Sequence, residues 1–525
     1  MNKTKIILFL IVLLGFLLRF YRIGEYPPLL WDEAALGYNA YSLLQTGRDE
    51  HGAFFPLILK SFGDYKPAIY SYLSIPFVFL FGLNETSVRL VSIIAGCLSP
   101  LFLYFLINKI DSKKQKVALL SALVLAVTPF AIHFSRGAWE TNLLVFEIIV
   151  SLYFFFSQKF FLSAFILSLS LYTYQSAKML VPFIFLPLIL QSLKQHPKII
   201  FTKFLIPILI FSLPLLCGLL FSQDSGRLKV VSLFSYPQSQ EEISVIKNET
   251  GNFDYLLFHN KYLNFGRQFL TRYFNHFSPR FLFFDGDWQS PRHSAPYIGV
   301  LLLPSTLFLI LGLITNYRLP ITKLFLYWLL IAPIPSSLTR DLLSGVRSLF
   351  LVIPLTYFTA LGIRRITDHR SRFTYLVTSI MFLVSLIYYS DLYYSHMVKK
   401  SPFDFLYGNK EVAQFVINNQ QNYDRIYYSD FYGQPYIFYL FYSQYSPKKY
   451  QAKNHLSLSG PDIGHVEKID NILFASPDFN FIRNQPQKIL AIFSFDEVER
   501  QGIDKKLLTP ISTIGNITTY YAYSN

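Results

Sequence analysis

Long apolar runs recur along the chain, separated by short polar connections. The first extends from Ile6 to Leu18 behind Lys3 and Lys5. No small-x-small cleavage site follows it. Arg19-Phe20-Tyr21-Arg22 does, so an uncleaved first helix with a cytoplasmic start is expected. Further spans are expected at residues 85–106, 117–133, 142–156, 160–174, 179–193, 204–221, 297–315, 319–335, 349–362 and 374–389. Together they make about eleven, given that a bilayer needs roughly 20 apolar residues per helix.

The segment 67–82, PAIYSYLSIPFVFLFG, is apolar but ambiguous. If it spans, the cluster Lys109, Lys113, Lys114 and Lys116 falls outside. If it lies along the interface, that cluster falls inside. So do Lys194, Lys198 and Lys203, then Arg318 and Lys323, and then Arg364, Arg365, Arg370 and Arg372. The second arrangement obeys the positive-inside rule at every strongly basic loop, so a juxtamembrane segment is expected. Three regions then lie outside: 23–84, 222–296 and everything after 392. The last alternates polar helical patches (409–419) with short aromatic strands (425–428, 489–493, 518–523), the pattern of a small soluble α/β domain. The expected fold is an α-helical polytopic membrane protein, with a membrane domain over 1–391 and a soluble α/β domain over 392–525.

Composition agrees. Of 525 residues, 52% are hydrophobic and 15% charged, against about 25% charge in soluble proteins. Two cysteines, Cys97 and Cys217, sit in apolar runs and exclude a disulfide scaffold. The balance of 47 basic and 32 acidic residues, a net +15, fits basic cytoplasmic loops. The cations form no stripe or nucleic-acid motif, so no nucleic-acid partner is expected. P-loop and Rossmann glycine patterns are absent.

Candidate chemistry gathers in the outer regions. Trp31-Asp32-Glu33 follows the first helix by about ten residues. Adjacent residues do not share a helix face, so one carboxylate can meet a substrate while the other caps a helix or binds a metal. Asp32 as an N-cap is the plainer alternative. Gly63-Asp64-Tyr65-Lys66-Pro67 puts a carboxylate and a phosphate-binding cation before the apolar juxtamembrane segment. Arg89 lies one turn into a span, where buried charge is costly and functional by default. Ser135-Arg136, Thr339-Arg340-Asp341 and Gly345-Val346-Arg347 are outer-side cations, against the positive-inside trend. Together they invite an anionic lipid phosphate. Asp285-Gly286-Asp287-Trp288 and Pro291-Arg292-His293-Ser294 form a polar cluster before a span. His293 with Asp285 or Asp287 leaves a divalent metal open, although no metal-binding spacing occurs; the plain alternative is turn chemistry.

At these residues the chain resembles the polytopic GT-C glycosyltransferases, especially the protein O-mannosyltransferase and aminoarabinose-transferase branch. The resemblance covers about residues 1–389. It rests on Asp32-Glu33, GDYKPAIYSYLSIPFVFLFGLNETSVRL, SRGAWETN, DGDWQSPRHSAPYIG and APIPSSLTRD with GVRSLFLVIPL. It implies a polyprenyl-phosphate-linked sugar donor, an acceptor lipid, glycan or protein, and catalysis at the outer face of the plasma (inner) membrane. The family's first-loop acid falls on Asp32, beside Glu33, and its lysine-proline step on Lys66-Pro67. Ala68 stands where many relatives carry a second proline, which leaves the role of Asp64 open. Some relatives bind a metal and others do not, so no cofactor is assigned.

The reaction needs a base for the acceptor hydroxyl and cations for the departing phosphate. Asp32 is the expected base, with Lys66, Arg89, Arg136 and Arg347 on the phosphate and inversion as the outcome. A flippase for lipid-linked saccharides is the alternative from another class; the internal repeat common in transporters is absent. A wall-assembly scaffold is a third.

Overall fold

A computed structural model describes residues 3–221, 232–235, 238–314, 319–367, 372–453, 456–460 and 463–525. Arg318 and Arg370 of the charge argument lie outside the described residues, as do the side chains of Asp64, Cys217 and Arg372. The chain forms two compact units. One comprises Met1–Gly15, Gly96–His133 and Leu144–Ser390; the other comprises Phe16–Ala95, Phe134–Leu143 and Asp391–Asn525.

The first unit is helical. Helices α1 (Lys3–Phe20) and α4 (Glu85–Ile110) enter it from the chain's N-terminal part. Between them in sequence lie α2 (Trp31–Thr46) and α3 (Ile69–Phe81). Five helical stretches among the described residues are long and apolar enough to cross a membrane: Glu85–Ile110, Ala177–Gln195, Pro197–Leu215, Gly345–Thr367 and Phe373–Lys400. Ser112–Val127 and Pro129–Ser135 make a sixth if counted as one span bent by 58°. The bend falls at Pro129, which lacks the N–H that would continue the ladder. The eleven stretches expected from hydropathy include several that fold shorter, such as Phe160–Leu171 with 12 residues. Burial separates the spans physically. The apolar window of Gly345–Thr367 is 89% buried, that of Phe373–Lys400 only 6%. Leu376, Leu383 and Ile387 of the latter are exposed, an arrangement stable only against lipid.

Two glycines set a close helix crossing in this unit. A Cβ on Gly312, in Ser305–Leu313, would stand 1.8 Å from the Phe358 carbonyl oxygen. A Cβ on Gly362, in Val352–Thr367, would stand 1.8 Å from the Phe308 carbonyl oxygen. The contact is reciprocal, backbone against backbone, as small residues allow between membrane helices.

The second unit carries α2, a hairpin of β1 (Ile58–Ser61) and β2 (Asp64–Pro67), α3, and the start of α4. Its 13-residue α3 spans about 20 Å at 1.5 Å per residue, short of the roughly 30 Å hydrocarbon core. The rest of the unit is the C-terminal α/β part. It adds β3 (Arg425–Tyr428), β4 (Leu456–Gly460), β5 (Ile463–Val466), β6 (Lys468–Ile469) and β7 (Ile472–Phe474). β8 (Ile489–Ser494), β9 (Thr509–Ile514) and β10 (Ile517–Ser524) follow. Six strands pair in the order β6-β7-β3-β8-β10-β9, with β3 parallel to both β7 and β8. Every residue of β8 is buried, which explains its unbroken apolar run. The expected helix at 409–419 and the strands at 425–428, 489–493 and 518–523 are all present, the last two within slightly longer strands.

The C-terminal part is fastened along α2. Tyr38 Oη donates to the Tyr445 carbonyl at 3.0 Å. Gln451 Nε2 donates to Ser42 Oγ, Thr46 Oγ1 and the Asp49 carbonyl at 2.8–3.1 Å. A Cβ on Gly37 would stand 2.5 Å from Val88 and 2.7 Å from Phe441. Lys410 Nζ donates to Glu85 Oε1 at 2.6 Å.

Replacing either glycine of the crossing, Gly312→Ala or Gly362→Ala, is expected to cost about 1–3 kcal/mol from overpacking. Thermal unfolding in detergent checks this, with Gly266→Ala as a control expected to be neutral to stabilising, because nothing lies within 4 Å of its Cβ position and alanine favours the helix it sits in.

Candidate functional site

The candidate site of the second unit is built on the first turn of α2. Leu30 is the N-cap residue, so Asp32 sits inside the helix rather than capping it. The capping acceptor is Glu33, whose Oε2 takes the Leu30 N–H at 3.1 Å. Glu33 and Asp32 therefore diverge, as adjacent helical positions must. Glu33 is buried and its carboxylate is fully engaged. Arg89 Nε and Nη2 donate to its two oxygens at 2.8 Å each, and the Ala138 N–H donates to Oε1 at 2.7 Å. Arg89 is itself sealed, with Nη1 donating to the Ile23 carbonyl at 2.7 Å and Nη2 to that of Pro28 at 3.3 Å.

Arg136 is equally buried. Its Nη1 donates to the carbonyls of Leu18 and Arg19, its Nη2 to that of Tyr26. The guanidinium lies 5.4 and 5.1 Å from the ring centres of Tyr393 and Tyr394. The Phe134–Leu143 turn is tied to α4 as well, through Asn142 Nδ2 to the Ser92 carbonyl at 2.8 Å.

Asp32 faces the other way. Its side chain is 35% exposed and pairs with Lys66 Nζ, brought in by β2 from 34 residues away. Lys66 also lies 5.2 Å from the Phe62 ring centre. The Asp64 backbone begins β2, while its side chain lies outside the described residues.

The remaining expected residues belong to the first unit. Asp287 and His293 are buried and bonded to each other, Nδ1 to Oδ2 at 2.8 Å. Asp287 also accepts the N–H groups of Gly345, Gln289 and Ser290. Asp285 pairs with Arg280 at 2.7 Å. Arg347 is held by Asp341 and by Thr339 Oγ1. Arg340 is 54% exposed. The Arg292 carbonyl lies 2.9 Å from His133 Nε2. Among the described residues no three His, Cys, Asp or Glu side chains converge as a metal would require. The donors expected for one, Asp285, Asp287 and His293, are engaged in these bonds.

The structure thus brings Asp32 to Lys66, and Glu33 to Arg89 and the Ser135–Glu140 turn. Sequence reasoning missed the carbonyl cages around Arg89 and Arg136. A guanidinium spent on backbone oxygens leaves no local signature. It also missed Trp31, whose ring meets Gly433: a Cβ there would stand 2.2 Å from it. The φ of +130° at Gly433 likewise suits glycine alone.

Two histidines of the first unit are held neutral. Burial pushes His276 down to about 4, against the bonds to the Arg272 and Tyr273 backbone and the charge of Asp287 that favour the proton. Burial likewise drives His293 below its ordinary value, although its bond to Asp287 works the other way. For Asp287, burial opposes ionisation, but the His293 pair and the backbone donors win and hold its carboxyl below the usual range.

Residues 9–196 match the family model described as dolichyl-phosphate-mannose-protein mannosyltransferase. That is the class of polytopic glycosyltransferases to which the motifs point. Among solved structures, the chain resembles ArnT from Cupriavidus metallidurans, both in the apo state and bound to undecaprenyl phosphate. The identities are 10% and 11%, each at a TM-score of 0.54, covering 98% of this chain and 97% of ArnT. The fold is therefore ArnT-like over nearly its whole length. The Archaeoglobus fulgidus oligosaccharyltransferase is a weaker match, with 13% identity and a TM-score of 0.46, covering 79% of this chain and 58% of that one. No curated protein matches in sequence.

Removing one partner of the Glu33–Arg89 pair, as in Arg89→Ala, is expected to cost about 3–5 kcal/mol by stranding a buried charge; unfolding midpoints in detergent check it. Acid is expected to destabilise the first unit. With the folded value of His276 below its unfolded 6.5, stability is complete above that pH and falls as the pH drops toward about 4. His276→Gln should flatten this part of a stability-versus-pH curve.

Proposed function

We infer that the chain transfers a sugar from a polyprenyl-phosphate-linked donor to an acceptor hydroxyl at the outer face of the plasma membrane. The single observation carrying this is the Asp32–Lys66 pair. A carboxylate and an ammonium meet at a partly exposed position, on a helix whose own anchoring charge is buried elsewhere. The match to the mannosyltransferase family model spans both residues, and the ArnT-like fold supports a lipid-phosphate donor because one ArnT structure holds undecaprenyl phosphate.

In this reading Lys66 leaves Asp32 for the donor phosphate. The exchange does two things at once: it neutralises the leaving group and frees the carboxylate. The acceptor oxygen attacks the anomeric carbon, the carbon–oxygen bond to phosphate breaks with its electron pair, and the hydroxyl proton goes to Asp32. A single displacement inverts the anomeric centre; retention in the product would count against it. Glu33, Arg89 and Arg136 act as the frame that fixes the first turn of α2: Glu33 and Arg89 hold each other, and Arg136 gives both terminal nitrogens to backbone carbonyls. Asp64 is kept as a second acid beside Lys66. Arg292, Arg340 and Arg347 are proposed to serve anionic lipid at the first unit's own surface, with Arg340 more exposed than the Asp341 it pairs with, while the buried His293 fixes the Asp287 turn instead.

The test is transfer by purified protein in detergent, offering polyprenyl-phosphate sugars with mixed acceptors and following released polyprenyl phosphate by mass spectrometry. Asp32→Asn is expected to lose at least about 100-fold, the low end for general-base help. Lys66→Ala should weaken undecaprenyl-phosphate binding and slow turnover, whereas Lys60→Ala, on the same hairpin, should do neither. Turnover unchanged in Asp32→Asn would move the base elsewhere.

A further inference from the structure

Parallel strands β7, β3 and β8 end together, and open α/β sheets bind ligands at the carboxyl ends of such strands. The residues following them here are not filler. After β3 comes Ser429-Asp430-Phe431-Tyr432-Gly433; after β7, Ser476; after β8, Phe495-Asp496. They are joined across the edge. Ser476 Oγ donates to Asp430 Oδ1 at 3.3 Å, and Tyr432 Oη donates to Asp496 Oδ2 at 2.5 Å. Each carboxylate has a second oxygen beyond that bond. Aromatic rings pave the same edge. Phe403 lies 5.0 Å from Tyr432 and 6.0 Å from Phe495 between ring centres, and Phe431, 43% exposed, lies 5.3 Å from Tyr432.

The loop after β3 reaches residues that flank the proposed catalytic pair by two routes. Gly433 packs on the ring of Trp31, the residue before Asp32. Gln434 Nε2 donates to the Gly464 carbonyl, and the Gly464 N–H donates to the Phe62 carbonyl at 2.7 Å. Phe62 stands at the turn of the hairpin whose second strand carries Lys66.

We propose that the carboxyl edge of β7, β3 and β8 is the acceptor subsite, and that the acceptor it takes is a saccharide. The proposal rests on the transferase reading above and names the acceptor class for it. The chemistry is that of sugar recognition: ring faces pack against the C–H faces of a pyranose, and ionised carboxylates accept charge-assisted bonds from its hydroxyls. Asp430 and Phe431 are the specificity-determining residues. The loop holding them is pinned by Gly433 against the residue next to the base, so a sugar resting there is delivered to the catalytic end of α2.

The experiment uses the full chain in nanodiscs. Saturation-transfer NMR measures binding of methyl glycosides of hexoses and amino sugars, their disaccharides, and serine- and threonine-containing peptides. Thermal stabilisation by undecaprenyl phosphate is read in parallel. The expected result is saccharide binding by wild type that weakens about tenfold or more in Asp430→Asn, the scale of one charge-assisted bond. Phe431→Ala should weaken it too. Stabilisation by undecaprenyl phosphate should be unchanged in both. Arg425→Gln, at the opposite end of β3, should change neither. Saccharide binding indifferent to both edge variants overturns the proposal. So does stabilisation by undecaprenyl phosphate with no saccharide bound, or peptide binding that depends on Asp430. A wild type that undecaprenyl phosphate does not stabilise overturns the donor reading, and this inference with it.

Discussion

The second unit depends on one buried carboxylate. Glu33 cannot stay ionised away from water unless its oxygens are filled, because an unpaired buried charge costs several kcal/mol. They are filled by Leu30 at the cap of its own helix, by Arg89 from α4, and by the Ala138 N–H from the turn before helix Glu140–Phe156. Three segments distant in sequence are thereby required to meet at one point. Arg89 extends the requirement to the carbonyls of Ile23 and Pro28, and so fixes the path of the chain between α1 and α2. Asp32 inherits its direction from this arrangement. With Glu33 locked inward, the preceding residue must point along another face of the helix.

The same logic separates charges caged by the fold from a charge held by few partners. Arg89 and Arg136 have the composition of a phosphate site but are consumed by backbone oxygens and aromatic faces. Among the described residues Lys66 pairs with one carboxylate and has an aromatic neighbour, on a hairpin strand rather than inside a helix. A partner exchange is chemically cheap for such an ammonium and expensive for a caged guanidinium, whose loss would unpair several carbonyls at once. Charge near a membrane face is thus a weak guide to function until its other partners are known.

Much of this was legible before any coordinates. The apolar runs and the short aromatic stretches that become β3, β8 and β10 could be read directly from the sequence. Asp32 and Lys66 were visible because both sit in short polar segments flanked by apolar sequence. The division of labour between Asp32 and Glu33 was legible only as an alternative, since adjacency says that two residues diverge but not which one turns inward. Span number was blurred where prolines and short helices break a run, as at Pro129. The bonds from Gln451 to α2 left no trace at all, because a glutamine reaching a serine carries no pattern, and Gly433 looked like any loop glycine until Trp31 was found beneath it.

Those late bonds have a bearing on biogenesis. Ser42 and Gln451 are 409 residues apart, and synthesis proceeds at about 5–20 residues per second. The helix that presents Asp32 therefore emerges on the order of 20–80 s before the segment that secures its far end exists, by the same rate. The spans can be inserted one after another as they are made, yet the first loop must wait for the last domain. A ribosome that stalls before Gln451 would leave the far end of α2 without these bonds, so the first loop is secured only after the C-terminal part has been made.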